Sequence, residues 1–255
     1  MKTYVVNMLK DTEKRATIER QLAQHPELDY QIWNAVEGKK LSEQEQKEMI
    51  VPEFKQRYGR GGNLPAAGCS LSHDGIYRNM IENDVPYALI LEDDAVLAYN
   101  LFVDEYVDLL NRNVPTAVML TSDFWYHKND KVKDVDCKHA IYKTKEAYMT
   151  SGYLINKAAA QIILDHNYPV RYVADSWKLF VEFGVNLYGI VPHVTTYTKG
   201  VIGEIGLEGG DYRKKQGLGI KQALVKMYFK YQLAKRYLQG FRKSKILWWY
   251  PEDNV

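Results

Sequence analysis

A short apolar run that ends on three acids constrains the fold of this chain more than any other feature. Residues 87–91 are apolar, and Glu92, Asp93 and Asp94 follow them directly. A run of this length between polar residues is typical of a strand buried on both faces of a sheet. Because ligands bind at the carboxyl edge of open α/β sheets, this strand would carry three carboxylates to a binding edge.

Strand-like and helix-like patterns alternate around that run. Segments rich in β-branched and aromatic residues predict strands, and apolar residues at helical spacing predict helices. The predicted strands cover residues 3–9, 30–33, 87–91, 117–121, 148–155 and 186–191. The first predicted helix is capped by Asp11 or Thr12, and further helices are predicted over residues 41–57, 67–83, 102–112, 157–165 and 176–183. Alternation throughout residues 1–195 favours an α/β sandwich over an all-α or all-β fold.

The composition is that of a globular protein with a large core. The chain has 255 residues, of which 46% are hydrophobic and 26% are charged, as in ordinary soluble domains. Cys69 and Cys137 lie in no spacing that predicts structural zinc or a disulfide framework, so we expect reduced thiols. The sequence shows neither a signal peptide nor about eighteen consecutive apolar residues, and we expect a cytoplasmic protein.

Basic charge is concentrated near the C-terminus. Residues 211–255 contain eleven Lys or Arg and three Asp or Glu, a balance of +8 that leaves −6 for residues 1–210 when the whole chain carries +2. Residues 200–219 are glycine-rich and predict a linker or lid, and residues 220–241 predict a basic amphipathic helix whose character continues to residue 250. The pattern indicates an anionic partner, either nucleic acid or a membrane surface. Packing of the apolar face on the protein itself is the alternative.

Three adjacent carboxylates repel one another and raise each other's pKa, and a divalent cation relieves that repulsion. Hard cations such as Mg²⁺ and Mn²⁺ take oxygen ligands and bridge carboxylates to a diphosphate. The alternative is that Asp93 and Asp94 cap the next segment while Glu92 faces solvent.

Three other segments could contribute to a site. Residues 68–73 place small residues at a predicted helix start, where N–H groups can face an anion, although His73 would more often be a buried core histidine. Residues 150–153 mix small and polar types inside a predicted strand, which indicates close approach of a ligand or another backbone. Asp175 is either a helix N-cap or a general base facing a cleft.

In order, these segments resemble glycosyltransferase family 25, which includes bacterial lipooligosaccharide galactosyltransferases and resembles the collagen galactosyltransferases. The matching segments lie at residues 6–9 with Arg15, 35–38, 67–73, 88–94, 151–155 and 173–177. Two positions depart from the family pattern. Ser176 is inserted between Asp175 and Trp177, and Ala66-Ala67 stands where the family has an acidic residue.

The resemblance implies a GT-A type fold, that is, a Rossmann-like mixed sheet flanked by helices. It also implies a UDP-sugar donor, with UDP-galactose as the first guess, Mn²⁺ or Mg²⁺ as cofactor, and inversion at the anomeric carbon. Asp175 would be the catalytic base. Asp94 would be the main metal ligand, with Glu92 and His193 as further candidates. The donor-binding residues would be Val6, Asn7, Arg15, Ala35, Glu37, Ser72, His73, Glu92, Asp93, Ser151 and Gly152.

The sequence thus predicts a catalytic domain over residues 1–199, a linker or lid over 200–219 and a basic helical region over 220–255. We expect a nucleotide sugar and a glycan or glycolipid acceptor of lipooligosaccharide biosynthesis as substrates. Residues 213–250 would bind the anionic inner face of the bacterial cytoplasmic membrane, and no nucleic acid is expected. Two other functions are considered: a nucleic-acid-binding protein that uses the tail, and a metal-dependent phosphohydrolase or nucleotidyltransferase.

Overall fold

A mixed β-sheet of nine strands organises the fold. The computed structural model describes residues 1–58, 63–198 and 220–244. The strands are β1 (Lys2–Asn7), β2 (Asp29–Asn34), β3 (Tyr87–Glu92), β4 (Ala95–Leu97), β5 (Thr116–Met119), β6 (Phe124–Asp134), β7 (Ala140–Ala147), β8 (Gly152–Asn156), β9 (Asn186–Val191), β10 (Thr195–Tyr197) and β11 (Phe241–Lys243). The sheet has the order β11-β6-β7-β9-β5-β8-β3-β1-β2, and β4 pairs separately with β10. β1 lies parallel to β2 and β3, and β5 lies parallel to β9, whereas the other neighbours are antiparallel.

Helices cover both faces of this sheet. They are α1 (Thr12–Leu22), α2 (Glu43–Met49), α3 (Pro52–Tyr58), α4 (Leu64–Glu82), α5 (Val107–Leu110), α6 (Lys157–Asn167), α7 (Trp177–Glu182) and α8 (Ile220–Leu238), with 3-10 turns at Gly38–Lys40 and Val103–Tyr106. This architecture confirms the α/β prediction and is consistent with a GT-A-like fold.

Successive residues of the central strands pack into opposite layers. In β1, Tyr4 and Val6 belong to the core beneath α4, α6 and α7, whereas Val5 belongs to the core beneath α1 and α5. Ile90 and Leu91 of β3 divide in the same way, and both are fully buried. Each such side chain contributes about 1.5–3 kcal/mol when it is buried. Burial on both faces therefore explains why β3 is an uninterrupted apolar run.

Glycines allow α4 to approach the loop that follows β2. A Cβ on Gly68 would lie 2.5 Å from Val36 O and 2.6 Å from Gly38 N. Ser72 fixes this contact, because its Oγ accepts from Val36 N at 2.8 Å and donates to Gly68 O at 2.7 Å. Backbone packing therefore accounts for both Gly68 and Ser72.

The start of α4 differs from the prediction. The helix begins at Leu64 instead of Ala67, because Asn63 caps it and a proline occupies its first turn. Gly68 is the fifth helical residue, beyond the first four N–H groups that lack a partner within the helix. The prediction that N–H groups at residues 68–73 face an anion is therefore wrong.

A long hairpin replaces part of the predicted alternation. β6 and β7 pair antiparallel without a helix between them, so the prediction that strand and helix alternate throughout residues 1–195 is wrong. Most of β6 is exposed or half-buried, which explains the absence of a clear apolar pattern. The predicted helix over residues 41–57 is also interrupted, since Ile50 bridges to Val170 before α3 begins. β8 starts only at Gly152, later than predicted, and Met149 before it has φ 79°.

The C-terminal region contributes a helix and an edge strand. α8 ends at Leu238, and residues 241–243 form β11, which pairs with β6, so the predicted helical character does not extend through these residues. Arg236 near the end of α8 forms an ion pair with Glu146, and its Cζ lies 5.0 Å from the Trp125 ring centroid. These contacts attach the last turn of α8 to the β6–β7 hairpin.

Several apolar side chains on α8 lie open to solvent. Met227, Tyr231 and Leu238, all on the predicted apolar face, are 63%, 61% and 89% exposed. The glycine-rich residues 200–219 and the aromatic residues 245–250 lie outside the described residues. Among the helices that the structure describes, none has the length and apolarity needed to cross a membrane.

We predict that Gly68→Ala destabilises the fold, whereas Gly75→Ala in the same helix does so much less. Both changes improve helix propensity by about 1 kcal/mol, but only Gly68 faces backbone atoms, whereas the nearest atom to a Cβ on Gly75 is in the Trp33 ring at 3.1 Å. Urea denaturation should show Gly68→Ala less stable than Gly75→Ala by about 1–3 kcal/mol. Equal stabilities would contradict the close packing of α4 against residues 36–38.

Candidate active site

Parallel pairing of β1 with β3 builds one side of the site. Val6 lies opposite Glu92 in this register, so Asn7 and Asp93 follow at the same edge of the sheet. Asn7 Nδ2 donates to Asp93 Oδ2 at 2.8 Å, and Lys14 Nζ lies 3.3 Å from Asp93 Oδ1. The first strand and the first helix therefore hold the second acid of the run.

Glu92 is held from the opposite side by β8 and α4. Its carboxylate accepts from Thr150 Oγ1, its N–H donates to Ser151 O at 3.2 Å, and His73 Nε2 lies 3.8 Å from its Oε1. Burial alone would raise the pKa of Glu92, but the facing His73 and the Thr150 hydroxyl hold it below its usual range. The carboxylate is therefore ionised, and Glu92 does not simply face solvent.

His73 belongs to a buried hydrogen-bonded chain. Its Nδ1 lies 2.7 Å from Tyr153 Oη, which lies 2.6 Å from Tyr77 Oη. His73 is 1% exposed. One helical turn before it, Cys69 places its Sγ on the same side, and the ligand atoms of Cys69, His73 and Glu92 all lie within 4.8 Å of one another.

Of the three acids, Asp94 has the fewest contacts among the described residues to offset the cost of burying its charge. Its Oδ1 is buried and has no hydrogen-bond partner among the described residues, although its carbonyl accepts from Thr198 N at 3.0 Å. Burial, followed by the charges of Glu92 and Asp93, raises the pKa of Asp94 to about 7. Burial also raises the pKa of Asp93, although Lys14 and Asn7 oppose the shift. The three carboxylates thus share a desolvated edge, at which Lys14 lies beside Asp93 and His73 beside Glu92.

Asp175 lies near Glu92 but does not cap a helix. Ser176 occupies the N-cap position of α7, and Asp175 Oδ2 accepts from Met149 N at 3.4 Å. Trp177, fully buried, donates from Nε1 to Met149 O at 2.9 Å and so fixes the same loop. Burial raises the pKa of Asp175, and the charge of Glu92 adds to this shift. The structure thus brings the predicted base to the acidic edge.

The residues predicted for the nucleotide lie along the ends of β1 and β2. Ala35 N donates to Asn7 O at 2.9 Å, which joins the two strand ends. Glu37 forms ion pairs with Lys10 and Lys40. These contacts place Asn7, Ala35 and Glu37 on one side of the acidic run.

Other predicted residues have contacts of their own. Arg15 pairs with Glu19 on the outer surface of α1, so Lys14, and not Arg15, reaches the acids. Ser151 donates to Thr121 Oγ1 at 3.2 Å inside the core. A Cβ on Gly152 would lie 2.4 Å from Thr195 Oγ1. Packing thus explains Ser151 and Gly152 without a ligand.

His193 is buried between β9 and β10, and its role as a metal ligand stays a prediction. β4 and β10 pair with Thr195 opposite Leu97 and Tyr197 opposite Ala95. Thr198, the residue after β10, donates from its N–H and its hydroxyl to Asp94 O.

Lys14 was absent from the predicted site, and three further contact residues were assigned no role although they lie in segments predicted to contribute: Cys69, Thr150 and Tyr153. Cys69 and His73 do carry a signal, because residues four apart lie on the same face of a helix. The contacts of Lys14 and Thr150 with Asp93 and Glu92 are tertiary, and no spacing in the sequence indicates them.

Two different sets of atoms at this edge suit two kinds of metal. The carboxylates of Asp93 and Asp94, desolvated and close together, match a hard cation such as Mn²⁺ or Mg²⁺. The sulfur and nitrogen of Cys69 and His73 match a softer ion. Among the described residues, the cluster of three or more potential ligands whose atoms lie within 4.8 Å of one another is Cys69, His73 and Glu92.

The order of these elements along the chain is that of a known family. Residues 1–177 match glycosyltransferase family 25, which is described as an LPS biosynthesis protein family. The chain belongs to glycosyltransferase family 25. The matched region contains β1, α4, the acidic run and Asp175, which are the parts of the candidate site described above.

Individual relatives of this family-25 chain are distant. Procollagen galactosyltransferase 1 of Danio rerio is 26% identical over 171 residues, 63% of this chain and 28% of that protein. Putative glycosyltransferase R655 of Acanthamoeba polyphaga mimivirus is 24% identical over 210 residues, 79% of this chain and 63% of that protein. The chain thus spans under a third of the procollagen enzyme. A197 from STIV, a solved structure, aligns over 74% of this chain and 80% of A197 at 12% identity and a TM-score of 0.38. The nucleic-acid-binding and phosphohydrolase alternatives gain no support from these similarities.

We predict that Asp94→Asn stabilises the metal-free protein at high pH. Because the folded state raises the pKa of Asp94 to about 7, the protonated form is favoured on folding. Stability from this group is present below its unfolded pKa, near 3.9, and is lost as pH rises through the folded value. In EDTA, urea denaturation should show Asp94→Asn more stable than the unchanged chain by roughly 1–3 kcal/mol at about pH 8 and similar to it at about pH 4.

The exposed Asp130→Asn should show no such dependence on pH. A gain for Asp94→Asn that is the same at both pH values would contradict a desolvated, ionisable Asp94.

Proposed function

We propose that this chain is an inverting hexosyltransferase that moves galactose from UDP-galactose to a saccharide acceptor in lipooligosaccharide or lipopolysaccharide biosynthesis. The observation that carries the proposal is the desolvated edge formed by Glu92, Asp93 and Asp94, with Asp175 near enough for the charge of Glu92 to raise its pKa. Family membership supports sugar transfer, and the relatives named as procollagen galactosyltransferases support galactose as the sugar.

Asp175 would act as the general base. Inversion needs one carboxylate that takes the proton of the acceptor hydroxyl as the new glycosidic bond forms. Burial raises the pKa of Asp175, which strengthens the carboxylate as a proton acceptor. The Met149 N–H and the buried Trp177 hold this region in place, so the base would be oriented before the acceptor binds.

Asp94 would be the principal ligand of a divalent cation, with Glu92 and His193 as further candidates. Asp94 Oδ1 is buried and lacks a hydrogen-bond partner within the described parts of the chain, which fits such an ion, because the ion would supply positive charge there. When bound, Mn²⁺ or Mg²⁺ neutralises charge on the departing diphosphate. Lys14, which lies beside Asp93, adds positive charge at the same edge.

Val6, Asn7, Ala35 and Glu37 would bind the uridine part of the donor. Their strand ends lie next to the acidic run, and Asn7 touches both Asp93 and the β2 end. His73, Glu92 and Asp93 would face the sugar and diphosphate. Arg15, Ser72, Ser151 and Gly152 would contribute to donor binding through the elements that they hold or border.

The α8 region would attach the protein to the inner face of the cytoplasmic membrane, where lipid-linked acceptors lie. Exposed Met227, Tyr231 and Leu238 lie beside exposed Lys230 and Lys235 on α8. Apolar side chains that insert at the interface, together with lysines near anionic lipids, are typical of peripheral attachment. Exposure of these three side chains argues against packing of this part of the face on the described residues of the protein.

We predict that Asp175→Asn lowers kcat for transfer by about 10²–10⁴ and leaves donor binding nearly unchanged. Asp94→Asn should remove stabilisation by UDP-galactose with Mn²⁺, which EDTA should also abolish for the unchanged chain. Thermal denaturation with several UDP-sugars and a transfer assay measure the two effects. Asp130→Asn is the exposed control and should behave like the unchanged chain. Near-normal turnover of Asp175→Asn with intact donor binding would refute its role as base.

We predict that Lys230→Glu combined with Lys235→Glu weakens binding to anionic vesicles at least about tenfold. Lys128→Glu with Lys138→Glu, at exposed hairpin positions, changes the net charge equally and should leave binding intact. Co-sedimentation with vesicles of phosphatidylglycerol and phosphatidylcholine, compared with phosphatidylcholine alone, measures both. Substitutions are preferable to truncation because β11 belongs to the main sheet. An equal loss of vesicle binding in both double variants would show that net charge, and not the α8 surface, causes the binding, and would contradict the proposed attachment.

A further inference from the structure

Cys69, His73 and Glu92 form a cluster of three potential metal ligands, of which Glu92 belongs to the acidic run. Cys69 and His73 occupy one face of α4 at a spacing of four residues, and the end of β3 brings Glu92 against them. Their ligand atoms, one sulfur, one imidazole nitrogen and one carboxylate oxygen, all lie within 4.8 Å of one another.

The ring of His73 has one nitrogen anchored and one available. Nδ1 lies 2.7 Å from Tyr153 Oη, which is held in turn by Tyr77. Among the described residues, the buried Nε2 has no hydrogen-bond partner, and His73 as a whole is 1% exposed. Histidines that bind metals commonly have the second ring nitrogen fixed by such a partner. A histidine serving only the core would leave a costly unsatisfied atom here.

The spacing of the atoms suits coordination better than hydrogen bonding. His73 Nε2 and Glu92 Oε1 are 3.8 Å apart, which is longer than a hydrogen bond. Ligand atoms on one tetrahedral Zn²⁺, bonded at about 2.0–2.3 Å, are separated by about 3.3–3.8 Å. No separation exceeds 4.8 Å, so a movement of about 1 Å or less would bring the three atoms to tetrahedral spacing, within side-chain flexibility.

We propose that Cys69, His73 and Glu92 bind Zn²⁺, or another borderline-soft divalent ion, at a site distinct from the hard-cation position at Asp94. The fourth ligand would be water or a phosphate oxygen of the donor. The thiol of Cys69 releases its proton to solvent as the sulfur–zinc bond forms, and no electron is transferred. Thiolate and imidazole ligands favour zinc over Mn²⁺ or Mg²⁺, which prefer oxygen.

Zinc at this site would inhibit sugar transfer, a consequence that rests on the proposed function. A Glu92 carboxylate bound to zinc would be turned toward Cys69 and His73 and could not at the same time contact the donor or the cation at Asp94. Cys69 and Glu92 are both half-buried, so two of the three ligands are partly exposed to solvent. Binding of the ion itself does not depend on the reaction.

Cobalt titration tests the site without an activity assay. Co²⁺ added to the reduced, metal-free full chain at about pH 8 should give a thiolate-to-cobalt charge-transfer band at one equivalent. Cys69→Ser should lose this band, and Cys137→Ser, which alters an exposed thiol, should retain it. Tyr153→Phe should weaken Co²⁺ and Zn²⁺ binding about 10–100-fold through the orientation of His73. Circular dichroism verifies that each variant is folded, and Cys69→Ala replaces Cys69→Ser if the latter is not.

Absence of the band in the unchanged chain, or its retention in both folded Cys69 variants, would overturn the proposal. A band lost only in Cys137→Ser would do the same. For the inhibition, Zn²⁺ titrated against Mn²⁺-supported transfer should inhibit the unchanged chain at least tenfold more strongly than Cys69→Ser, each relative to its own zinc-free rate. A Cys69-dependent band in a chain that transfers no sugar would support the zinc site and refute the proposed function.

Discussion

Parallel pairing of β1 with β3 is the constraint on which the site depends. The register that sets Val6 opposite Glu92 carries Asn7 and Asp93 past the last strand positions together. Both strands are buried on two faces, so their ends emerge where water is scarce. Carboxylates at such a position lose hydration and gain little in return. Every contact of the edge, from Lys14 to Thr150, compensates part of that loss.

The compensation is unequal, and this divides the roles of the three acids. Glu92 faces a histidine and a hydroxyl, which lower its pKa, whereas burial raises the pKa of Asp94 to about 7 and its Oδ1 has no hydrogen-bond partner in the part of the chain that the structure describes. An ion or a cationic ligand therefore gains most at Asp94. Although the acids are consecutive, the Glu92 carboxylate faces Thr150 and His73, whereas Asp94 Oδ1 lacks a hydrogen-bond partner among the described residues.

The sequence predicts the fully buried strand β3 and does not predict the largely exposed strand β6. β3 is apolar throughout because both faces are covered, and its five predicted residues all lie in the observed strand. β6 is largely exposed and carries no comparable pattern, so the hairpin was not predicted. The prediction of three clustered acids succeeded because they are consecutive. The Thr150 and Lys14 contacts could not be predicted, since they depend on how β8 and α1 pack against β3.

The true start of α4 changes the role of residues 68–73 from a predicted anion site to a packed part of the helix. Small residues before a histidine resembled an exposed helix start, but the Asn63 cap moves that start upstream. Gly68 and Ser72 are therefore packing residues, which hold α4 against residues 36–38. Cys69 and His73 alternate with them along the helix and so face the acidic edge. One segment thus serves the packing of the core on one side and the chemistry of the edge on the other.

The attachment of α8 has a consequence for reach. The ion pair of Arg236 with Glu146, the stacking on Trp125 and the pairing of β11 with β6 fix the end of this helix to the hairpin edge of the sheet. A surface that engages the end of α8 would therefore meet the protein in one orientation, because no free linker separates that end from the sheet. The candidate site would then lie at a fixed distance from the surface that α8 engages, and a substrate group attached to that surface would have to extend over that distance.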